Sequence, residues 1–348
     1  MRRRTLLAAA GAGALAGLGP ARAGWSWPGP YITVAADGTG DVSTMQAAVD
    51  AVPSGNAGPF TIKIQPGWYR GRVIVPADKP YIIFRGQGPD PAAVVISDER
   101  ANGTPKPEGG TWGTSGSASV TISGHDFSAR NLTFANTFDE AAHPEFTGHQ
   151  AVAVLTRADR IVFDNCRFLA NQDTLYLNSP DVATSSRVYL RKCYVEGDVD
   201  FIFGRATAVL DRCQIHSLDR DSSTNNGYVT AASTDINNPH GFLLTQCRLT
   251  GDAAPGTVFL GRPWHPGNDP NAIAEVIIRD SSIGAHIKPS PWTDFGTWSW
   301  HDARYAEYHN RGAGAAVTAD RPQLTAAEAV SYTPEAYLAG ADAWNPVR

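Results

Sequence analysis

Two aspartates stand at the same place in two copies of one short sequence, and this placement is the first sign of chemistry in the chain. Asp173 follows Cys166 by seven residues, and Asp200 follows Cys193 by seven. The interval of 27 residues between the cysteines therefore also separates the carboxylates. If the copies are structural repeats, the two carboxylates lie one above the other on neighbouring units.

Two carboxylates this close form a coupled pair. Repulsion prevents both from ionising freely, so one proton leaves at low pH and the other at higher pH. Such a pair supplies one nucleophile and one acid. The guanidinium of Arg262, in LGRPW, is the candidate cation that keeps Asp200 ionised, because an arginine can bind a carboxylate through two parallel hydrogen bonds.

The same short sequence recurs along the chain, and its copies identify the elements that must position the aspartates. The intervals between copies are 34, 27, 20, 34 and 34 residues, a range typical of stacked repeat units. Each copy alternates apolar and polar residues between Gly, Asn and Asp, which predicts short strands and turns. The six copies begin at Phe127, Ile161, Val188, Ala208, Phe242 and Val276.

Repeat units of this kind bury their apolar face only by stacking, as in a solenoid. We therefore predict an all-β fold, a right-handed parallel β-helix whose successive coils pair at roughly 4.8 Å. A β-sandwich is the alternative architecture. A β-sandwich fits the repeat intervals poorly, because its hairpin turns would recur about every 8 to 12 residues.

Helical segments and one long loop frame the repeats. An N-cap at Ser43 or Thr44 and the amphipathic stretch after it predict a short helix that ends before Pro53 and caps the solenoid. The segment LTAAEAVSYT predicts a C-terminal helical tail. Residues 102–116 form a polar loop rich in Gly and Pro, of the kind that leaves a coil and walls a binding groove.

The N-terminal residues predict an export signal. Three arginines precede an apolar run over residues 6–18, and an A-x-A cleavage site ends at Ala23. The run is too short to span a membrane. The arginines also fit a twin-arginine signal, so the Sec and Tat routes both stay open. We predict a signal peptide over residues 1–23, one β-helix domain over residues 24–348, and a secreted, extracellular protein.

The composition is that of an acidic globular protein. Hydrophobic residues make up 42% and charged residues 18%, and the net charge is −5. Loss of residues 1–23 removes four arginines and no acid, which takes the charge to about −9. This charge disfavours nucleic acid as a partner. We expect a monomer that binds neither nucleic acid nor a membrane.

The four cysteines occupy one repeat position. Residues stacked at about 4.8 Å lie within the distance that a disulfide spans, so a bridge between Cys193 and Cys213 is open. A ladder of buried thiols is the other reading. A metal site is not expected, because no CxxC or HxxxH spacing accompanies the cysteines.

Five blocks of sequence together resemble bacterial members of the pectin methylesterase (pectinesterase) family. The resemblance extends from Tyr31 to the C-terminal helix and covers nearly the whole mature chain. The chain departs from the family pattern at Gly71, where a glutamate is usual, and at Ser119, where a threonine is usual. The blocks, in the family's order, are GHQAVAVL (148–155), NQDTLYL (171–177), DVDFIFG (198–204), GYVTAAST (227–234) and LGRPWHP (260–266).

The resemblance implies a pectin-lyase-like β-helix that removes methyl esters from homogalacturonan, giving pectate and methanol without a cofactor. By matching positions, Asp200 attacks the ester carbonyl, and Asp173 protonates methanol and then deprotonates water. Gln172 and Gln150 supply hydrogen bonds to the oxyanion. The implied substrate-binding residues are Gln150, Arg262, Trp264, Phe201, Tyr228 and Ser119.

Several of these residues also have a purely structural reading. A lone buried aspartate in a β-helix more often ends a turn, although two at one repeat position beside Gln172 favour chemistry. Gln150 could belong to an amide ladder inside the coil. Phe201 and Phe203 alternate along one strand, so one of them could be core. Three further tryptophans either line the groove or pack the C-terminal tail: Trp292, Trp298 and Trp300.

Other functions remain open on the same scaffold. A glycosidase that inverts configuration needs carboxylates about 6.5 to 9.5 Å apart, more than adjacent coils offer. A calcium-dependent lyase needs a carboxylate cluster, and none is evident near Asp173. A non-catalytic carbohydrate-binding solenoid and a thioesterase are further alternatives, whereas the lack of GxSxG disfavours a serine esterase. An acidic esterase on this polymer predicts a locally basic or aromatic groove and tighter binding of methylated than of demethylated stretches.

Overall fold

Three parallel β-sheets wind around one hydrophobic core. The structure, a computed structural model, describes residues 29–347, so the predicted signal peptide lies outside the described residues. The chain passes repeatedly from a ten-stranded sheet (sheet I) to an eight-stranded sheet (sheet III) and a seven-stranded sheet (sheet II). The strands within each sheet pair in parallel. The predicted right-handed parallel β-helix is confirmed, and the β-sandwich alternative is wrong.

The strands, numbered β1 to β25 in chain order, are two to six residues long. Sheet I contains β1 (Tyr31–Val34), β2 (Phe60–Ile64), β5 (Ile82–Gly86), β8 (Ser128–Arg130), β11 (Ile161–Asp164), β14 (Arg187–Arg191), β17 (Thr207–Asp211), β20 (Phe242–Thr245), β23 (Glu275–Arg279) and β25 (Arg304–Tyr308). Sheet II contains β4 (Val73–Val75), β7 (Val120–Ile122), β10 (Val154–Thr156), β13 (Leu175–Leu177), β16 (Val199–Gly204), β19 (Gly227–Ala232) and β22 (Val258–Gly261). Sheet III contains β3 (Gly67–Arg70), β6 (Val94–Asp98), β9 (Thr133–Asn136), β12 (Arg167–Leu169), β15 (Tyr194–Gly197), β18 (Gln214–Ser217), β21 (Arg248–Gly251) and β24 (Ser282–Ile283).

The repeated short sequence folds as the corner between sheets I and III. In each copy the residue just before the cysteine position has a left-handed backbone, with φ between 51° and 58°. One such residue turns the chain, so the next side chain points into the core. Lysine, arginine and glutamine rarely adopt this conformation, which shows that the winding of the coil overrides local preference. The six corner residues are Asn131, Asn165, Lys192, Arg212, Gln246 and Asp280.

The cysteines form a ladder of buried free thiols on the inner side of this corner. Cys166, Cys193, Cys213 and Cys247 are all unbridged and at most 2% exposed. The backbone amide of Cys193 donates to the sulfur of Cys213 at 3.4 Å. Of the two possibilities that the sequence left open, the structure has the thiol ladder.

Short helices close the N-terminal end and cover one side of the solenoid. Helix α1 (Met45–Ala51) begins after the N-cap Thr44, whose side chain accepts a hydrogen bond from Ala47 N at 3.2 Å. Helix α2 (Gly113–Gly116) lies in the long loop before β7. Helices α3 (Ala326–Ala329) and α4 (Pro334–Leu338) form the predicted tail. Three 3₁₀ turns are at Pro91–Ala93, Pro266–Asn268 and Trp300–Asp302.

The tail packs along the side of the coil rather than over its end. Tyr337 and Leu338 of α4 are buried against Tyr189 and Val209 on the outer face of sheet I. The outer face of sheet II carries the candidate site, and side chains of this face form a separate buried cluster that includes Leu155, Tyr176 and Phe203. In residues 29–347 no helix has the length and apolar character needed to cross a bilayer.

Candidate active site

The two aspartates lie at the start of β13 and β16, which are neighbours in sheet II. Leu175 pairs with Ile202, so the 27-residue offset seen in the sequence is kept in the structure. Asp173 N donates to Val199 O at 3.0 Å. Asp173 and Asp200 both have left-handed backbones, with φ of 68° and 52°. The two carboxylates therefore share one backbone conformation and lie one strand spacing apart, about 4.8 Å along the helix axis.

A β-bulge in β16 determines which side chains point outward beside Asp200. Between Val199 and Ile202 the strand advances three residues while its partner β19 advances two. The extra residue breaks the alternation of the strand. As a result, both Phe201 and Ile202 point into the inner core.

The predicted role of Phe201 in substrate binding is wrong for this reason. Its ring is fully buried in the inner core. Phe203 takes the outer position instead and stacks on Tyr176 of β13, with ring centroids 4.1 Å apart. The two rings form an aromatic floor on the outer face of sheet II, where both are buried.

Arg262 reaches Asp200 from the segment that follows β22. Its Nε donates to Asp200 Oδ1 at 2.8 Å and an Nη donates to Oδ2 at 2.6 Å, the two parallel bonds that the sequence predicted. Gly261, just before it, admits no Cβ, because the side chain of Thr230 and the ring of Trp292 occupy that space. This close packing fixes the point from which Arg262 extends.

Two aromatic rings hold the guanidinium of Arg262 in place. The Tyr228 ring centroid lies 3.8 Å from the guanidinium carbon, and the Phe295 ring centroid lies 4.4 Å away. Tyr228 therefore contacts Arg262, whereas the sequence predicted that Tyr228 contacts the substrate. Phe295 was missed because it belongs to the C-terminal segment, outside the repeats whose spacing could have indicated it.

The protonation of the pair follows from burial and from the position of Arg262. Asp173 and Asp200 are 6% and 7% exposed. Burial raises the pKa of Asp200, while the hydrogen bonds and charge of Arg262 oppose this rise. Burial raises the pKa of Asp173 well above its usual range, and the charge of Asp200 raises it further. Of the two groups, Asp200 is favoured as the carboxylate and Asp173 as the protonated acid.

Two glutamine amides border the pair. The amide of Gln172 acts to lower the pKa of the Asp173 carboxyl group, against the effect of burial. Gln150 precedes Ala151, whose amide donates to Gln172 O at 3.1 Å. The Gln150 side chain makes no hydrogen bond with any residue in 29–347, and its Oε1 is buried without a donor. An amide ladder inside the coil is therefore not present at Gln150.

Trp264 extends the aromatic floor at its edge. It is partly exposed and contacts Phe203 and Tyr176 edge to face, at centroid distances of 5.6 Å and 6.0 Å. A flat ring in this position offers a platform for a sugar. Tyr176 could have been found from the sequence, since it holds in NQDTLYL the place that Phe203 holds in DVDFIFG.

The remaining tryptophans divide between packing and the rim. Trp292 is 2% exposed and stacks on Tyr305 inside the core, with ring centroids 4.2 Å apart. Trp300 is partly buried against the same core. Trp298 stacks on His265, which is three residues after Arg262 in the loop that carries Trp264, with ring centroids 3.8 Å apart.

Ser119 does not reach the outer face, so its predicted substrate contact is wrong. The residue is fully buried, and its hydroxyl accepts a hydrogen bond from Asp98 N at 3.0 Å. It links β6 of sheet III to the start of β7. The hydroxyl group binds the backbone of β6, so Ser119 has a structural role.

A chain of charged side chains that sequence reasoning missed runs along the edge of the site. Asp198 lies two residues before Asp200 and pairs with Arg220 at 2.9 Å. Arg220 also contacts Glu140 at 3.3 Å, and Glu140 pairs with His149 at 2.9 Å. These residues come from three separate loops, so no motif in the sequence links them. The chain ties the segment before Asp200 to the segment that carries Gln150.

Metal-binding geometry is not found beside these groups. Within the described part of the chain, no group of three or more His, Cys, Asp or Glu side chains is arranged to hold a metal ion. The site combines a carboxyl group bound by arginine, a second carboxyl group whose pKa burial raises, two amides and an aromatic floor.

Comparisons with known proteins agree on one family. The family model described as Pectinesterase matches residues 31–341. The chain is 36% identical to Pectinesterase A of Dickeya chrysanthemi over 91% of this chain and 92% of that protein. It is 37% identical to Pectinesterase 31 of Arabidopsis thaliana over 81% of this chain and 83% of that protein.

Solved structures give the same result for the fold. A pectin methylesterase in complex with a hexasaccharide superposes with a TM-score of 0.81 at 32% identity, covering 91% of this chain and 98% of that one. The pectin methylesterase from carrot superposes with a TM-score of 0.76 at 34% identity, covering 91% and 95%.

Proposed function

The chain belongs to the pectinesterase family and removes methyl esters from pectin, and we propose that it does so with Asp200 as nucleophile and Asp173 as general acid and base. The observation that carries this assignment is the bidentate contact of Arg262 with Asp200, one strand from a carboxyl group whose pKa burial raises well above its usual range. One carboxylate is thereby prepared to attack and the other to donate a proton.

The first half of the reaction forms an acyl-enzyme. An oxygen of Asp200 attacks the carbonyl carbon of the methyl ester and gives a tetrahedral intermediate with a negative oxygen. The amides of Gln172 and Gln150 donate hydrogen bonds to that oxygen. In comparable enzymes, one such donor lowers the activation barrier by about 3 kcal/mol. The carbon–oxygen bond to methanol then breaks as Asp173 transfers its proton to the departing oxygen.

The second half restores the enzyme. Asp173, now ionised, takes a proton from water, and the resulting hydroxide attacks the galacturonoyl carbon of the acyl-enzyme. The bond to Asp200 breaks and leaves a free Asp200 carboxylate and a galacturonic acid group, which releases its proton to solvent to become the pectate carboxylate. Arg262 binds Asp200 before attack and after release. Its hydrogen bonds keep the nucleophile ionised despite burial.

Trp264 and Phe203 are proposed to bind the sugar rings next to the reacting ester. Their rings contact each other and Tyr176 on the outer face of sheet II, and Trp264 is the more exposed of the two. Homogalacturonan is a polymer that does not cross a membrane, so we propose that the enzyme acts outside the cell. We also propose that it acts as a monomer and without a cofactor.

The assignment is tested by Asp173→Asn, which keeps the size of the side chain but holds no transferable proton. We expect methanol release from methylated pectin to fall about 10²- to 10⁴-fold. The control Asp78→Asn, which changes an exposed carboxylate, should leave the rate of methanol release unchanged. The viscosity of the pectin should stay constant while wild type releases methanol. Full activity of Asp173→Asn would overturn the assignment, and a fall in viscosity would point to depolymerase activity.

A further inference from the structure

The chain of charged side chains at the edge of the site connects two catalytic groups. At one end it lies two residues before the nucleophile, Asp200, and at the other it directly precedes Gln150, a proposed oxyanion donor. None of its members takes part in the reaction proposed above. The chain consists, in order, of Asp198, Arg220, Glu140 and His149.

The side chain of Gln150 is not held by hydrogen bonds of its own. It makes none with any residue in 29–347, and its Oε1 is buried without a donor. An oxyanion donor must nevertheless be in place before the negative charge develops. The position of this amide is therefore set by the backbone around it and by the contacts that hold that backbone.

The backbone at Gln150 is bound on two sides. Asn102 N, in the long loop before β7, donates to Gln150 O at 2.8 Å, and Ala151 N donates to Gln172 O at 3.1 Å. Neither bond involves β16, the strand that carries the nucleophile. The link toward that strand leaves from the neighbouring side chain, His149.

The loop between β9 and β10, which carries His149 and Glu140, is packed as one unit. The rings of Phe138, His143 and Phe146 stack on one another, with centroids 4.8 to 6.0 Å apart. Phe138 and Phe146 also belong to a small hydrophobic cluster of their own. Closely packed groups shift together rather than one by one, so one contact at the edge of this loop can fix where the whole loop lies.

Glu140 makes such a contact with both of its oxygens. His149 Nδ1 lies 2.9 Å from Glu140 Oε1, and it carries the hydrogen because a carboxylate only accepts. From outside the loop, Arg220 donates to Oε1 at 3.3 Å and to Oε2 at 3.4 Å. Glu140 thus joins the residue before the oxyanion donor to a cation on another coil.

Arg220 is itself fixed at both its side chain and its backbone. Its Nη1 donates to Asp198 Oδ2 at 2.9 Å, and its backbone amide donates to Asn226 Oδ1 at 2.9 Å. Asn226 is fully buried and donates to Thr257 Oγ1 at 2.9 Å. Arg220 is therefore a rigid point against which Glu140 is placed.

Asp198 sets Arg220 beside the reacting groups. Its backbone amide donates to Asn171 O at 3.1 Å, in the segment that carries the acid, and its carbonyl group accepts a hydrogen bond from Tyr228 N at 2.9 Å. It also lies two residues before the nucleophile. The chain is thus tied to the segment of each aspartate, and Glu140 is the link from there to the loop of the oxyanion donor.

We propose that Glu140 is a positioning residue for the oxyanion site: by joining the loop to Arg220, it fixes the Gln150 amide relative to the nucleophile. The proposal rests on the proposed function, because it needs Gln150 to bind the oxyanion. Without the Glu140 carboxylate the loop can shift, and a small displacement weakens a hydrogen bond that forms in the transition state. The bound ester has no oxyanion, so its affinity depends little on this contact.

Glu140→Ala tests the proposal at a partly exposed side chain. We expect kcat for methanol release to fall about tenfold, less than the 10²- to 10³-fold or so that removal of an oxyanion donor costs, with KM within about twofold of wild type. His149→Ala removes the other partner and should give the same loss, and the two losses should not add. Arg220 is left in place, because its loss would strip the buried Asp198 carboxyl group of its cation.

The decisive measurement is a double-mutant cycle with Gln150→Ala. This variant alone should lower kcat about 10²-fold. Adding Glu140→Ala to it should lower kcat by less than about twofold more, because the group that Glu140 positions is already gone. Glu145→Ala is the matched control: Glu145 pairs with His143 at 3.0 Å within the same loop, and its loss should leave kcat unchanged.

A tenfold loss from Glu140→Ala that persists in the Gln150→Ala background would overturn the proposal, since Glu140 would then act on another group. A rise in KM with unchanged kcat, or an equal loss in Glu145→Ala, would also overturn it. If Gln150→Ala keeps wild-type kcat, the oxyanion role of Gln150 in the proposed function fails as well. The cycle therefore separates failure of this inference alone from failure of the function on which it rests.

Discussion

Replacement of Arg262 by lysine tests the link between geometry and chemistry at the nucleophile. Arginine binds Asp200 through two bonds of 2.8 Å and 2.6 Å, and its guanidinium lies between the rings of Tyr228 and Phe295. Lysine keeps the positive charge but has no planar fork. Arg262→Lys therefore isolates the contribution of the paired hydrogen bonds from that of charge alone.

The size of the effect follows from the bonds that are lost. One hydrogen bond to a charged group contributes about 1.5 to 3 kcal/mol, and part of the ring contact is lost with it. A total of about 2 to 3 kcal/mol corresponds to a decrease in kcat/KM of about 30- to 150-fold. The ionised form of Asp200 bears the loss, so the pKa of Asp200 rises further and the acid limb of the pH profile moves to higher pH.

The assay is methanol release from methylated pectin over a pH series. Arg160→Lys is the matched control, because Arg160 binds Asp126 through bonds of 2.8 Å and 2.7 Å away from the site. It should retain wild-type kcat/KM and an unchanged acid limb. If Arg262→Lys loses less than about threefold and keeps its acid limb, the paired hydrogen bonds do not prepare the nucleophile.

Three further results are expected. Asp173→Asn should raise the melting temperature at neutral pH. The folded protein keeps a proton on Asp173 that the unfolded chain releases, so the stability of the wild type falls as pH rises from the ordinary aspartate range to the raised pKa of Asp173. The neutral amide of asparagine does not titrate and therefore avoids this loss. No gain at neutral pH, or an equal gain near pH 3, would contradict this. Phe201→Ala should cost about 3 to 5 kcal/mol of unfolding free energy in denaturant melts and leave KM unchanged, whereas Phe203→Ala, which removes a buried ring beside Trp264, should lower stability and also raise KM. A rise in KM for Phe201→Ala and none for Phe203→Ala would place the bulge elsewhere. The unfolded protein should titrate four free thiols, and two would mean that a disulfide is present.

Repeat spacing was enough to predict the pairing of the aspartates. A coil keeps its register, so the same number of residues between two copies brings Asp173 beside Asp200. The fold followed from the same repeats, and the left-handed corner residue of every copy explains why one short sequence recurs at variable intervals. Variable loops lie between the corners and do not disturb them.

The errors came from local events that spacing does not record. A single bulged residue exchanged the faces of Phe201 and Phe203. Ser119 was placed on the surface by matching motifs, although its hydroxyl binds the backbone of a neighbouring sheet. Phe295 and Arg220 reach the site from irregular segments, and only the folded chain shows where those segments lie.

The central claim is that Asp200 attacks the ester. The most direct measurement is methanol release by Asp200→Ala, with circular dichroism to show that the β-helix is retained. We expect activity to fall by about 10⁴-fold or more, as when other enzymes lose their nucleophile, while binding of amidated oligogalacturonate persists. Activity within tenfold of wild type in a folded Asp200→Ala protein would contradict the account.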